Sequence, residues 1–335
     1  MRISNFTIWS ILFSFFLTII IAKYSIPYLR KFKLGQNIRD DGPQSHLSKA
    51  GTPTMGGIIM IISTILLSAF LFVIAIILTT FCLGNFSREV FAVLIGMLGF
   101  TLIGFLDDFF KLVMKRSLGL TEIQKLIIQF IISIVVILFI EKVVGTDLRY
   151  QLIPFVKGAV NFGWIIYPIL IFVMIGTANA TNLTDGLDGL SSSVSIPVFL
   201  GLGLISFSRF PGVGVFSLAF MASLMGFVMF NSYPARVFMG DTGSMALGGA
   251  IATICILNGI IFYLPIIGGI YVMEALSVII QVVSYKTRNK KRVFLMSPIH
   301  HHYELKGYKE PQIVTAFAVI SGILSIISVY LFFSI

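Results

Sequence analysis

Charge is scarce in this sequence and cysteine nearly absent. Only 11% of the 335 residues are Asp, Glu, Lys or Arg, less than half the share of an ordinary soluble domain. Water is therefore not the main solvent of the fold. The two cysteines, Cys82 and Cys255, fall in or beside apolar runs, which excludes a disulfide framework and a thiolate metal site. No internal repeat is visible, and the connections between apolar runs are too short to hold a soluble domain. Residues 1–335 read as a single integral membrane domain.

What the chain has instead is apolar length. Runs near 3–22, 56–80, 90–106, 122–140, 162–179, 189–207, 213–231, 246–261, 263–284 and 312–335 each approach the ~20 residues of a spanning helix. Backbone polar groups in hydrocarbon must be satisfied within the segment, so these runs are expected to be helices. The fold class is an all-α polytopic membrane protein with about ten transmembrane helices. No small-residue cleavage site precedes Lys23, so the first run reads as a span rather than a removable signal.

The net charge of +10 would suggest nucleic acid in a soluble protein; here its distribution argues for a membrane and against that partner. With the 23–50 connection placed in the cytoplasm and sides alternating, the outer side keeps Arg2, Arg88, Lys142, Arg149, Lys157 and Arg209. The other eighteen of the 24 Lys and Arg fall inside. That bias is the positive-inside signature; it puts both termini outside. The outer 141–161 connection is long enough for a small hairpin. In the ninth run Gly268 and Gly269 follow Pro265, with Glu274 deeper. The plain reading is a kink and one helix-facing carboxylate; a break that opens a groove for lipid is the alternative.

The chemistry-bearing residues crowd the inner connections. Asp107, Asp108, Asp185, Asp188 and Asp241 lie where acids are costly and default to function. Asp185, Asp188 and Asp241 each precede a helix that starts inside, so each taken alone reads equally well as an N-cap. Asp107 and Asp108 differ. They sit toward the end of a helix, where the dipole disfavours negative charge, and they repel one another unless a cation is near. Gly51-Thr52-Pro53-Thr54-Met55-Gly56-Gly57 leads into the second run with glycines and hydroxyls that let backbone N–H groups approach an anion. Asn179, Asn182 and Thr184 crowd Asp185, and Asn231 and Gly240-Asp241-Thr242-Gly243-Ser244 repeat the polar style. His300, His301 and His302 are consecutive; if extended, His300 and His302 share a face. With no cysteine and many carboxylates, Mg²⁺ or Mn²⁺ suits the site better than zinc. A hard metal, several carboxylates and scattered cations point to phosphoryl transfer at one membrane face.

These motifs carry a resemblance over essentially the whole chain. Gly51–Gly57, Asp107-Asp108, Asn179–Leu190, Phe238–Ser244 and Ser297-Pro298-Ile299-His300-His301-His302-Tyr303-Glu304 resemble the phospho-N-acetylmuramoyl-pentapeptide transferase family. That family sits within the polyprenyl-phosphate N-acetylhexosamine-1-phosphate transferases. The resemblance implies transfer from UDP-MurNAc-pentapeptide to undecaprenyl phosphate, giving lipid I and UMP, with Mg²⁺, in the bacterial cytoplasmic membrane. It also allows a homodimer. By motif, Asp241 resembles the metal-binding aspartate, and Asp107 the base for the lipid phosphate with Asp108 beside it. Asn182, Asp185 and Asp188 resemble residues lining the nucleotide site, and Phe238 the aromatic that stacks on uracil. Lys49, Thr54, Lys125, Asn231 and His300–His302, with His301 in a catalytic role, match positions around the substrates. Tyr303 and Tyr308 stand where the family commonly has other aromatics. The rivals are a GlcNAc-1-phosphate transferase, which would space its histidines differently, and a cation-coupled transporter. The transporter would place its acids at the midplane between inverted repeats.

Overall fold

The computed structural model describes residues 5–31, 87–113 and 119–334. The expected run at 56–80, the Gly51–Gly57 segment, Lys49 and Thr54 lie outside those residues. Among the described residues, eight helices are long and apolar enough to cross a membrane. In chain order the elements are α1 (Asn5–Lys31), α2 (Arg88–Val113), α3 (Glu122–Phe139), β1 (Tyr150–Leu152), β2 (Ala159–Asn161), α4 (Ile166–Thr184), α5 (Leu190–Ser206), α6 (Pro211–Asn231), α7 (Gly240–Asn258), α8 (Leu264–Ile267), α9 (Gly269–Thr287), α10 (Ile299–Leu305) and α11 (Glu310–Ser334).

The expected sixth run is the short one. At 17 residues, α5 is about 25 Å long at 1.5 Å per residue, slightly less than the hydrocarbon thickness. Most of it is buried by its neighbours. Around its Pro197, α11 adds bonds between helices: Ser321 and Ser325 donate to the carbonyls of Val194 (2.9 Å) and Pro197 (2.6 Å). Serines on an adjacent helix commonly satisfy backbone groups near a proline in a membrane.

The ninth run is interrupted at its glycines, where a kink is the plainer expectation. The turn α8 stops at Gly268 and α9 restarts at Gly269. The 141–161 connection does hold a hairpin, with Tyr150 opposite Asn161 and Leu152 opposite Ala159.

At the centre stands α7, buried at every residue from Thr242 to Asn258. Such a helix needs small residues wherever neighbours must approach. Gly249 lies against the Gly96 carbonyl of α2, and Gly248 against Ala178 and Thr181 of α4. Both neighbours run antiparallel to α7, so the C-terminal ends of α2 and α4 meet its N-terminus. Large apolar side chains cover the periphery instead; on α3, Ile123, Ile127, Phe130 and Ile131 are exposed. In water such a surface would aggregate; in lipid it is the solvated face.

Candidate functional site

The meeting point of α2, α4 and α7 gathers carboxylates. Ligand oxygens of Asp107, Asp108 and Asp241 all lie within 4.8 Å of one another. One glycine makes this approach work. A Cβ on Gly104, one turn before Asp108, would sit 2.3 Å from the Asp241 carbonyl oxygen. Glycine there lets the first turn of α7 rest directly on α2, beside the two acids.

Each acid is held from a different direction. Asp108 accepts from both the backbone N–H (3.3 Å) and the hydroxyl (3.0 Å) of Thr242. It therefore caps the N-terminus of α7 from the neighbouring helix, where a negative charge is favoured. Capping, which the position of Asp108 within its own helix excluded, is a role it takes across the interface. Asp107 accepts from Leu120 N–H at 3.0 Å, and its other oxygen lies 3.4 Å from Lys125 Nζ. Lys125 also reaches Asp241, at 3.9 Å. Its placement follows from a capping box: Thr121 accepts from Gln124 N–H, and the Gln124 side chain accepts from Thr121 N–H. That pair fixes the start of α3, and Lys125 is the next residue.

Asp241 lies in the first turn of α7, which begins six residues earlier than the apolar run at 246–261. The Asn182 amide donates to Asp241 at 2.8 Å and to Ser244 at 3.0 Å, tying α4 to α7. Asn179 turns away from the site to pair with Gln129 of α3 (3.1 and 3.3 Å).

None of the aspartates that read equally well as N-caps occupies the N-cap position of the helix it precedes, although Asp185 accepts from the Gly240 backbone at the start of α7. Asp185 is the C-cap of α4. Asp188 precedes Gly189, which is the N-cap position of α5, and accepts from Ala235 N–H at 3.0 Å in the next connection. Burial and the charge of Asp241 push the Asp185 carboxyl well above the usual carboxylate range, against a lowering hydrogen bond from the Gly240 backbone.

Asn231 is buried, with Ser192 donating to its oxygen (2.6 Å) and its amide donating to the Val237 carbonyl (2.8 Å). In this arrangement it holds the 232–239 connection, at whose end Phe238 is exposed between buried Val237 and Met239.

The histidines are helical, not extended, because 299–305 winds into α10. At 100° per residue they point three ways. His300 is fully buried against Glu274 of α9, Nδ1 to Oε2 3.1 Å. His301 pairs with Glu304 at 2.6 Å. His302 Nδ1 accepts from Leu295 N–H at 3.1 Å, which leaves its proton on Nε2. Burial, then Lys306, holds the His302 pKa below the usual histidine value, so the ring stays neutral. Tyr303 packs edge-on against Tyr308, with ring centroids 6.0 Å apart.

The structure thus assembles Asp107, Asp108, Lys125, Asn182 and Asp241 directly, with Asp185 close enough to feel their charge. Thr242, Ser244 and Glu274 were not singled out as site residues by the sequence. Glu274 left the clearest trace, as a lone acid inside an apolar run. A cavity of about 520 Å³ opens elsewhere, between α5 and α11; of the site residues it includes only Asp188.

Residues 90–259 match the family model described as glycosyl transferase family 4. Residues 49–61 match phospho-N-acetylmuramoyl-pentapeptide-transferase signature 1. Proteins named phospho-N-acetylmuramoyl-pentapeptide-transferase align over nearly the whole chain. That of Caldanaerobacter subterraneus subsp. tengcongensis is 46% identical over 96% of this chain and 98% of its own length. That of Halalkalibacterium halodurans is 44% identical over 96% of each, and that of Bacillus subtilis 43% identical over 97% of each.

Proposed function

The chain belongs to the phospho-N-acetylmuramoyl-pentapeptide transferases, and from that membership we propose what its aspartate cluster does. It transfers phospho-MurNAc-pentapeptide from UDP-MurNAc-pentapeptide to undecaprenyl phosphate, yielding lipid I and UMP for peptidoglycan synthesis. The observation that carries this reading is the convergence of three carboxylates within 4.8 Å beside Lys125, where helices end. There a water-soluble nucleotide and a phosphate at the lipid boundary can both be reached. The bias of Lys and Arg supports a cytoplasmic position for that end, in the bacterial inner membrane.

The residues fit a divalent cation. Three acids this close repel one another unless a cation is near, and the donor set is all oxygen, as Mg²⁺ prefers. Asp107, Asp108 and Asp241 would hold it; when bound, it supplies charge neutralisation for the pyrophosphate oxygens of the donor.

The remaining work falls to the chain itself. Lys125, between Asp107 and Asp241, brings a fixed positive charge to the phosphates. Asp107 takes the proton of the lipid phosphate where one is present. An oxygen of that phosphate then attacks the β-phosphorus of the donor, and the bond to UMP breaks with the electron pair leaving on UMP. Asn182 keeps Asp241 aimed at the cluster, and Asp185 and Asp188 border the nucleotide, with Phe238 offering a face to uracil. Catalysis here is chiefly positioning and charge neutralisation.

Purified protein with Mg²⁺ and undecaprenyl phosphate should release UMP from UDP-MurNAc-pentapeptide and not from UDP-GlcNAc. Release from UDP-GlcNAc alone favours the GlcNAc-1-phosphate rival, and release from neither removes the transferase reading.

A further inference from the structure

Glu274 stands apart from the acids of the cluster. It lies within α9 with no exposed surface, and the His300 side chain it meets is 1% exposed. Burying a carboxylate is costly unless it is well partnered, and this one is only half partnered. Its Oε2 meets His300 Nδ1, while Glu274 Oε1 and His300 Nε2 have no hydrogen-bond partner among the described residues. A pair retained for stability alone would satisfy both ends or be replaced by apolar residues.

The unpartnered ring atom has a direction. A Cβ built on Gly186 would fall 2.2 Å from His300 Nε2 and 2.7 Å from its Cε1. The ring edge therefore presses on the backbone of the turn between Asp185 and Asp188. Gly186 itself is exposed, so Nε2 sits just beneath an open part of the site.

We propose that Glu274 is a positioning residue for the transfer reaction, acting through His300. A carboxylate only accepts hydrogen bonds, so Glu274 keeps a proton on Nδ1 and holds the ring against rotation. Nε2 is then the ring atom held against the Gly186 backbone, beneath the turn that borders the donor, always in the same tautomer. Glutamine would fill the same space but offers an N–H as readily as an oxygen, which admits the other tautomer and removes the charge. The arrangement is the general one in which a buried acid orients a histidine, here one that supports the 185–188 turn from below.

This rests on the reading that the 185–188 turn receives the sugar nucleotide, which UMP release by the wild-type protein tests separately in the same assay. The test compares Glu274→Asp, Glu274→Gln, His300→Gln and the double variant Glu274→Gln/His300→Gln, with rates taken per folded, monodisperse protein. The expected order of kcat is Glu, then Asp, then Gln, with Gln about 10- to 100-fold down and KM for the donor nearly unchanged. The double variant should match His300→Gln alone. A packing role reverses the order, because Gln is isosteric and Asp leaves a void. Gln as active as Asp or more so, a loss confined to KM, or additive losses in the double variant would each overturn the proposal.

Discussion

Asp241→Asn is expected to lower turnover by roughly a hundred- to a thousandfold, even at saturating Mg²⁺. The substitution keeps the shape, and the Asn182 amide that now donates to Asp241 at 2.8 Å still finds an oxygen. What disappears is one negative charge of three and the pairing with Lys125 at 3.9 Å. Losing an acid from the first turn of α7 costs about 0.3–1 kcal/mol of helix-dipole stabilisation, so the fold should persist. The expected pattern is UMP release near background with thermal unfolding in detergent only slightly lower. Near-normal rates would show that the metal role has been given to the wrong aspartate.

Gly104→Ala should be comparably damaging without touching any polar group. The new Cβ would lie 2.3 Å from the Asp241 carbonyl oxygen, 2.5 Å from its carbon and 2.6 Å from Thr242 Cα. All three are backbone atoms, so no side chain can swing aside. The first turn of α7 must move off α2, carrying Asp241 away from Asp107 and Asp108. A displacement of about 1 Å at such a site costs on the order of a hundredfold in rate, and overpacking adds roughly 1–3 kcal/mol of destabilisation. Gly176→Ala is the control: nothing among the described residues lies within 4 Å of its Cβ position, and UMP release should stay at the wild-type rate. Equal activity of the two variants would mean that the α2–α7 approach does not set the geometry.

The sequence showed where the chemistry lies better than how it is held. The Asp107-Asp108 pair was legible because acids near a helix C-terminus oppose the dipole, and the structure places both in the cluster. The partner of Asp108 was not legible. Its hydrogen bonds to Thr242 join residues 134 positions apart, and no local pattern signals them. The start of α7 was missed for a related reason: a helix buried on every side has no polar face to set its period, and Gly240–Ser244 reads as loop by composition. Three histidines in a row carry no periodicity, so the sequence leaves their facing conditional on an extended backbone. Only the winding of α10 separates His300, buried on Glu274, from His301 and His302. The small residues that let α2 and α4 close on α7 likewise read in sequence as ordinary glycines of a membrane helix.

The central claim is that Asp107, Asp108 and Asp241 form one binding site for a divalent cation. Mn²⁺ shares the oxygen preference of Mg²⁺ and is visible by electron paramagnetic resonance, so titrating it into substrate-free protein reads that claim directly. Saturable binding to the wild type is expected, weakening by about tenfold or more in each of Asp107→Asn, Asp108→Asn and Asp241→Asn. Wild-type affinity in all three variants would contradict it.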